Sequence, residues 1–363
     1  MISGLWPARR SLGFKDDVHP IQYLRFIYGL FLVPSAMHLL QTRRKFMRIL
    51  SLLCVVPTIS DGKEQTILRI GFLSGAGPLH LEKVFTDELK KLGLQEGKNL
   101  EIEMRLARPN STDVAVMASE LAGMDLTLIV AASLPIALEI RKNNPKMPMV
   151  LATCPGMVSN GFAKSLEHPG GIYTGIDELP KGVVAKRLQL FKAAVPTAKR
   201  IALLSATPGV GGHEAQLAEA ETTAPTLGVQ VTPYRVKSLE DLQKALKDLT
   251  NEGVDGMVVF QGALTLANRR MVVDFAAQKR LPVIYQQSVF VEIGGLMAWA
   301  PDLEQQFREA AHFVEKILKG AKPGDLPIKH PDKYYLTLNK TAASEIGVQF
   351  SKELIAEATK VIE

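Results

Sequence analysis

The strongest constraint on this chain is a rhythm. From residue 67 onward, apolar runs of strand length alternate with amphipathic stretches of helical period, the pattern that builds a parallel sheet covered by helices. The first cycle predicts strands at 67–73, 100–106, 126–131 and 149–152, separated by helices at 79–92, 112–122 and 135–143. A join at 174–180 and a long helix at 181–194 lead into a second cycle. Its strands fall at 200–205, 229–236, 256–260 and 283–285, and its helices at 214–227, 239–251 and 267–278. Eight strands in one sheet would demand long excursions across the sheet edges, so two sheets are expected. The fold class is therefore α/β: two doubly wound parallel-sheet lobes joined by a hinge. A helix at 303–318 with Gly320 as its C-cap, a short strand at 334–338 and terminal helices complete the pattern. If the 303–318 helix returns to the first sheet, lobe 1 comprises 63–177 plus about 300–333. Lobe 2 then comprises 178–299 plus about 334–363. A chain that crosses between lobes more than once makes a hinge, and the cleft between the carboxyl edges of two such sheets is where ligands bind.

Residues 1–62 form a separate leader. Of the net charge of +6, most belongs here: Arg9, Arg10, Lys15, Arg25, Arg43, Arg44, Lys45 and Arg48 stand against Asp16, Asp17 and Asp61. The body is nearly neutral, which argues against a nucleic-acid partner, because counterion release needs a concentrated basic face. The apolar stretch 49–59 follows Arg43-Arg44-Lys45 and has signal-peptide proportions. Two export routes fit this segment: a twin-arginine signal at 42–47, or an ordinary secretory n-region with adjacent arginines. A second apolar stretch, 21–40, precedes it and is broken by Arg25 and Pro34. Translation starting at Met37 would leave a conventional leader; retention of 21–40 as a membrane anchor is the rival reading. Cys54 lies in the leader and Cys154 alone in the body, so no disulfide can form within a processed protein.

Signatures of catalysis are missing from the sequence. It carries no Gly-x-Ser-x-Gly elbow, no Walker A loop and no His-Glu-x-x-His. The run Thr207-Pro208-Gly209-Val210-Gly211-Gly212 connects a strand to a helix as a phosphate loop would, yet lacks both the last glycine of Gly-x-Gly-x-x-Gly and the Lys-Ser/Thr of a P-loop. Its reading is a cleft-mouth turn whose backbone N–H groups face a ligand. The seven histidines are scattered without metal-ligand spacing, and no metal or cofactor is expected. Small and polar residues instead collect at the predicted strand ends: Ser74-Gly75, Ala132-Ser133, Thr153-Cys154, Ala206-Thr207, Gln261-Gly262 and Gln286-Gln287. They supply hydrogen bonds rather than acid–base groups. Tyr285 and Trp299 lie in the same neighbourhood, where aromatic faces suit an apolar or aromatic ligand.

These residues resemble a known family. Ile67-Leu-Arg-Ile-Gly-Phe-Leu-Ser, Leu89-Lys-Lys-Leu-Gly-Leu-Gln-Glu-Gly-Lys-Asn and Leu166-Glu-His-Pro-Gly-Gly-Ile-Tyr-Thr-Gly are similar to segments of the ABC transporter substrate-binding family that includes tryptophan- and tyrosine-type proteins. Lys186-Arg-Leu-Gln-Leu-Phe-Lys-Ala-Ala-Val-Pro, Phe290-Val-Glu-Ile-Gly-Gly-Leu-Met and Ile317-Leu-Lys-Gly-Ala-Lys-Pro-Gly-Asp-Leu-Pro extend the likeness through the body, in order. The resemblance implies a type I periplasmic-binding-protein fold, a hinged cleft and delivery of a small-molecule solute to an ABC permease in the inner membrane; a monomer, exported to the periplasm by the signal at 43–59, is expected. It implies ligand contacts from Ser74, Ser133, Thr153, Thr207, Gln261, Gln286, Trp299 and Asp302. Two stretches depart from the family pattern: Cys154-Pro155-Gly156 replaces a frequent Gly-Asp-Pro, and Ala298-Trp299-Ala300 a frequent Ser-Tyr-Gly. Cys154 and Trp299 are thus where this chain's own ligand is chosen, an aromatic amino acid or aromatic carboxylate being the expectation. Two rivals stand beside transport: a sensor presenting its ligand-bound shape to a signalling partner, and an enzyme using His80, Cys154 or His213.

Overall fold

A computed structural model describes residues 67–75, 80–107, 113–206, 211–260 and 262–363. The leader, with its export and anchor expectations, lies outside the described residues, as do Thr207 and Gln261.

The first sheet takes the apolar runs in the order their winding requires. β1 (Leu68–Ser74) is followed by α1 (Leu81–Lys91), β2 (Leu100–Leu106), α2 (Asp113–Ala122), β3 (Leu128–Ala131), α3 (Leu134–Asn143), β4 (Met149–Cys154) and β5 (Tyr173–Asp177). The spatial order is β2-β1-β3-β4-β5 and every pairing is parallel. Central strands of such a sheet are covered on both faces, and β3 and β4 are buried along their whole length; β5, at the sheet edge, is buried as well.

β5 lies in the stretch read from sequence as the join between halves. Tyr-Thr-Gly-Ile-Asp mixes turn residues with apolar ones, so its strand character does not show. Gly175 explains the composition: a Cβ there would lie 2.1 Å from the carbonyl oxygen of Leu151, at a φ of +143° and beside a register shift between β4 and β5. Only glycine allows that approach.

The second half runs α4 (Val183–Ala194), β6 (Arg200–Ser205), α5 (Gly211–Thr223), β7 (Gln230–Arg235), α6 (Leu239–Glu252), β8 (Gly256–Val259), α7 (Ala263–Ala267), α8 (Arg269–Gln278), β9 (Val283–Tyr285), α9 (Val289–Glu292) and β10 (Met297–Pro301). α10 (Leu303–Leu318), β11 (Tyr334–Asn339), α11 (Lys340–Ile346), α12 (Lys352–Glu357) and β12 (Lys360–Ile362) follow. The sheet order is β12-β11-β10-β9-β8-β6-β7. All neighbours are parallel except β10 and β11, which are antiparallel. The period of two is visible in the cores: Ile201, Leu203 and Val258 face one side, while Ala202, Leu204, Met257 and Val259 face the other. β10 and β12 were not anticipated, β12 because three residues at a chain end carry too little pattern to separate strand from helix.

α10 packs on the first sheet although it follows ten strands. Phe307, Phe313, Val314 and Ile317 join Ile70, Phe72 and Leu151 in one core, with Phe72 and Phe307 rings 6.2 Å apart. Asp302 caps the helix, its Oδ1 accepting from the N–H of Gln305 at 3.0 Å. The chain therefore passes between lobes three times, after Asp177, around Asp302 and between Lys329 and Tyr334. These passages lie side by side: Asp177 N–H donates to the Lys329 carbonyl at 2.8 Å and Asp302 N–H to that of Lys333 at 3.0 Å. Short adjacent connections of this kind are what a hinge is made of. Among the described residues no helix is long and apolar enough to cross a membrane.

Candidate ligand-binding cleft

The carboxyl edges of both sheets carry the residues singled out from sequence. Ser74 ends β1, is buried, and its hydroxyl reaches the Gly75 carbonyl at 3.4 Å. Ser133 precedes α3 half-buried, without capping it through its side chain. Thr153 Oγ1 donates to the Ala132 carbonyl at 2.8 Å, so its hydroxyl ties the ends of β4 and β3 together. In lobe 2, Gln286 is buried after β9 and its amide donates to Gln216 Oε1 of α5.

Two of the expected residues are packed inside the lobes instead. Cys154 is fully buried in the core of lobe 1, and burial, with Asp177 and Glu178 adding to it, pushes its thiol well above the usual range. It is a protonated, enclosed thiol rather than a nucleophile or a surface for ligand. Tyr285 is likewise fully buried; its ring stacks on Phe290 with centroids 4.7 Å apart, and its hydroxyl meets no protein partner. Alternation along β9 is the reason: Tyr285 points into the sheet face, and the next residue, Gln286, falls at the strand end. Trp299 is half-buried beside the hinge, its indole stacked on Tyr334 at 5.5 Å with the Lys186 ammonium 5.9 Å above it. Asp302 is engaged at both oxygens, capping α10 and accepting the Tyr335 hydroxyl at 2.8 Å.

Sequence reasoning missed three features. The first is the carboxylate of Asp177, buried at the end of β5. It accepts the N–H groups of Gly156 and Leu179 on Oδ1, at 2.9 and 3.0 Å, and of Met157 on Oδ2, at 2.8 Å. This fixes the 155–157 turn of lobe 1 to the first lobe-to-lobe passage. The same turn meets lobe 2, since a Cβ on Gly212 of α5 would lie 2.5 Å from the Pro155 carbonyl oxygen.

The second is the partner of His213, the histidine named above as a candidate for chemistry: it is 3% exposed at the start of α5, and its Nδ1 lies 2.9 Å from Ser205 Oγ. Ser205 is closed to solvent, so the pair anchors α5 to β6 rather than facing a substrate. Burial lowers the imidazole from 6.5 to about 4. The unfolded chain binds the proton near 6.5 while the folded chain does not, so stability falls as pH drops from about 6.5 to 4 and is flat below. The expected loss from this group is about 3 kcal/mol, and urea unfolding of wild type and His213→Gln across that window checks it.

The third is Arg187, 2% exposed, which burial pulls down to about 10 without neutralising it. Its signal is legible afterwards: Val184, Arg187, Leu188 and Phe191 fall at i, i+3, i+4 and i+7, so arginine occupies a core position of an apolar stripe.

Among the described residues no group of three His, Cys, Asp or Glu side chains could hold a metal ion. Ser74, Ser133, Thr153 and Gln286 bring neutral hydroxyls and amides to the sheet edges. The sequence pattern of the family described as ABC transporter substrate binding protein matches residues 68–362. The chain belongs to that family. A relative, the tyrosine-binding protein of Clostridioides difficile strain R20291, is 24% identical over 291 residues, covering 80% of this chain and 83% of the relative. Among solved structures, the ABC domain in complex with L-Trp from Streptococcus pneumonia is similar with a TM-score of 0.75 at 23% identity, over 82% of this chain and 100% of that one. The ligand-free, open structure of a substrate binding protein with adhesive properties from Clostridium difficile gives 0.62 at 23% identity, over 82% and 99%. The fold of this substrate-binding protein is thus the two-lobed type I periplasmic-binding architecture.

Proposed function

We propose that this protein is the extracytoplasmic solute-binding component of an ABC importer, and that it captures an aromatic amino acid or aromatic carboxylate between its lobes and releases it unchanged to a permease. The observation that carries this reading is the pairing of a three-passage hinge with strand-end side chains, Ser74, Ser133 and Gln286, that offer hydrogen bonds and no acid–base couple. The aromatic class is supported by the family's tyrosine-binding relative and by the L-Trp complex of the same fold. The buried Cys154 thiol and the enclosed Ser205–His213 pair leave the two groups most suggestive of chemistry out of reach.

A thermal-shift screen of the protein against L-Trp, L-Tyr, L-Phe, aromatic acids, aliphatic amino acids and polyols tests the ligand class. An aromatic compound at a hundred times its Kd should add about 2.7 kcal/mol of stability. A shift with polyols or aliphatic acids alone would refute the aromatic assignment.

A further inference from the structure

The buried guanidinium of Arg187 stands where the three lobe-to-lobe passages meet. Its Nε donates to the carbonyl of Trp299 at 3.1 Å, three residues before the second passage reaches Asp302. Its charge is felt by Glu178 on the first passage and by Tyr334 at the end of the third. Those two are themselves joined, the Tyr334 hydroxyl donating to the Glu178 carbonyl at 3.4 Å. From lobe 1, the amide of Gln306 on α10 donates to Glu178 Oε1 at 3.2 Å. Arg187, Glu178 and Gln306 are all at most 4% exposed. Arg187 itself belongs to α4 of lobe 2, whose first turn is held by Glu219 accepting the N–H groups of Val184 and Ala185 at 3.1 and 3.0 Å. One polar network therefore spans both lobes and all three passages, and it contains a buried cation and a buried carboxylate.

A buried charge is tolerated only where nearby opposite charge and hydrogen bonds offset its desolvation, and removing the Arg187 cation leaves the Glu178 carboxylate less compensated in low dielectric. Rotation of the lobes about the hinge changes the relative positions of the three passages and hence of these charges. We propose that Arg187 is a hinge-positioning residue, which with Glu178, Tyr334 and Gln306 holds the lobes in the approached arrangement and so sets how readily the cleft closes on its solute. The proposal rests on the reading that binding closes the cleft. It assigns to Arg187 a role in closure and no contact with ligand. Without the cation, the Glu178 carboxylate gains by reaching water, and the resting population shifts toward open lobes; the fraction competent to close falls, and apparent affinity falls with it.

The test compares wild type, Arg187→Met, Glu178→Gln and the double variant by small-angle X-ray scattering without ligand, alongside Kd for the best compound of the screen. Arg187→Met is expected to enlarge the radius of gyration and weaken binding about tenfold. The double variant, having lost both charges, should return toward wild type in both. A folded Arg187→Met with a lowered Tm but unchanged scattering and Kd would overturn the proposal, as would a double variant no closer to wild type than the singles. If Arg187→Met does not fold, Gln306→Leu serves, since it cuts the lobe 1 link to Glu178; scattering identical to wild type would then count against the role. Because the scattering is read without ligand, failure of the screen and failure of the hinge assignment are separate results.

Discussion

Replacing Gly175 by alanine is expected to destabilise the fold by about 3 kcal/mol or more, because the added methyl meets backbone rather than a side chain that can swing away. Its Cβ would stand 2.1 Å from the oxygen, 2.7 Å from the nitrogen and 2.8 Å from the carbonyl carbon of Leu151, and the φ of +143° is one that L residues rarely adopt. β4 and β5 must separate to admit it. The strand that moves ends in Asp177, so the 155–157 turn and the first hinge passage lose their common anchor. Thermal unfolding followed by circular dichroism should show Tm lowered by roughly 10 °C. A variant melting within about 2 °C of wild type would show that the sheet has slack there which the close approach of Leu151 denies.

Gly212→Ala should do the opposite, preserving stability while removing function. Gly212 sits in the first turn of α5, where alanine is the better helix former by about 1 kcal/mol. Its Cβ, however, would press on lobe 1 at Pro155, 2.5 Å from the carbonyl oxygen, and on Leu179 of the first passage at 3.1 Å. Across the contact, Gly156 holds a φ of +76° with the Cα of Gly212 close by, so neither side can yield without moving a turn. The lobes can stay folded but cannot meet. Ligand affinity is expected to fall at least about tenfold with Tm held or raised, measured by calorimetric titration and thermal unfolding on one preparation. Unchanged affinity would mean that solute is held without this approach of the lobes.

The alternation of apolar runs and amphipathic helices carried the two-sheet architecture, while the 303–318 helix, whose sheet the sequence left conditional, packs on the first through Phe307, Phe313, Val314 and Ile317. What the sequence hid were strands whose reason lies in a neighbour. β5 reads as a turn because its glycine answers to Leu151 in another strand, and β10 passes unnoticed because Ala298, Ala300 and Pro301 interrupt its apolar run. The strand-end serines and glutamines were legible because turn chemistry is local. Which of them turns inward is decided by alternation and packing, so Tyr285 and Cys154, one residue either way from an edge position, ended in the cores. The hinge network was the least visible. Arg187, Glu178, Gln306 and Tyr334 are separated by up to 156 residues between Glu178 and Tyr334, and nothing in their own neighbourhoods says that they meet.

The central claim is that the lobes hold a small molecule and do nothing to it. Equilibrium dialysis of the protein against the best aromatic compound of the screen, with mass-spectrometric recovery of the bound material, tests it most directly. One molecule per chain, recovered chemically intact after prolonged incubation, is the predicted result; time-dependent conversion of the compound, or binding that does not saturate at one per chain, would contradict it.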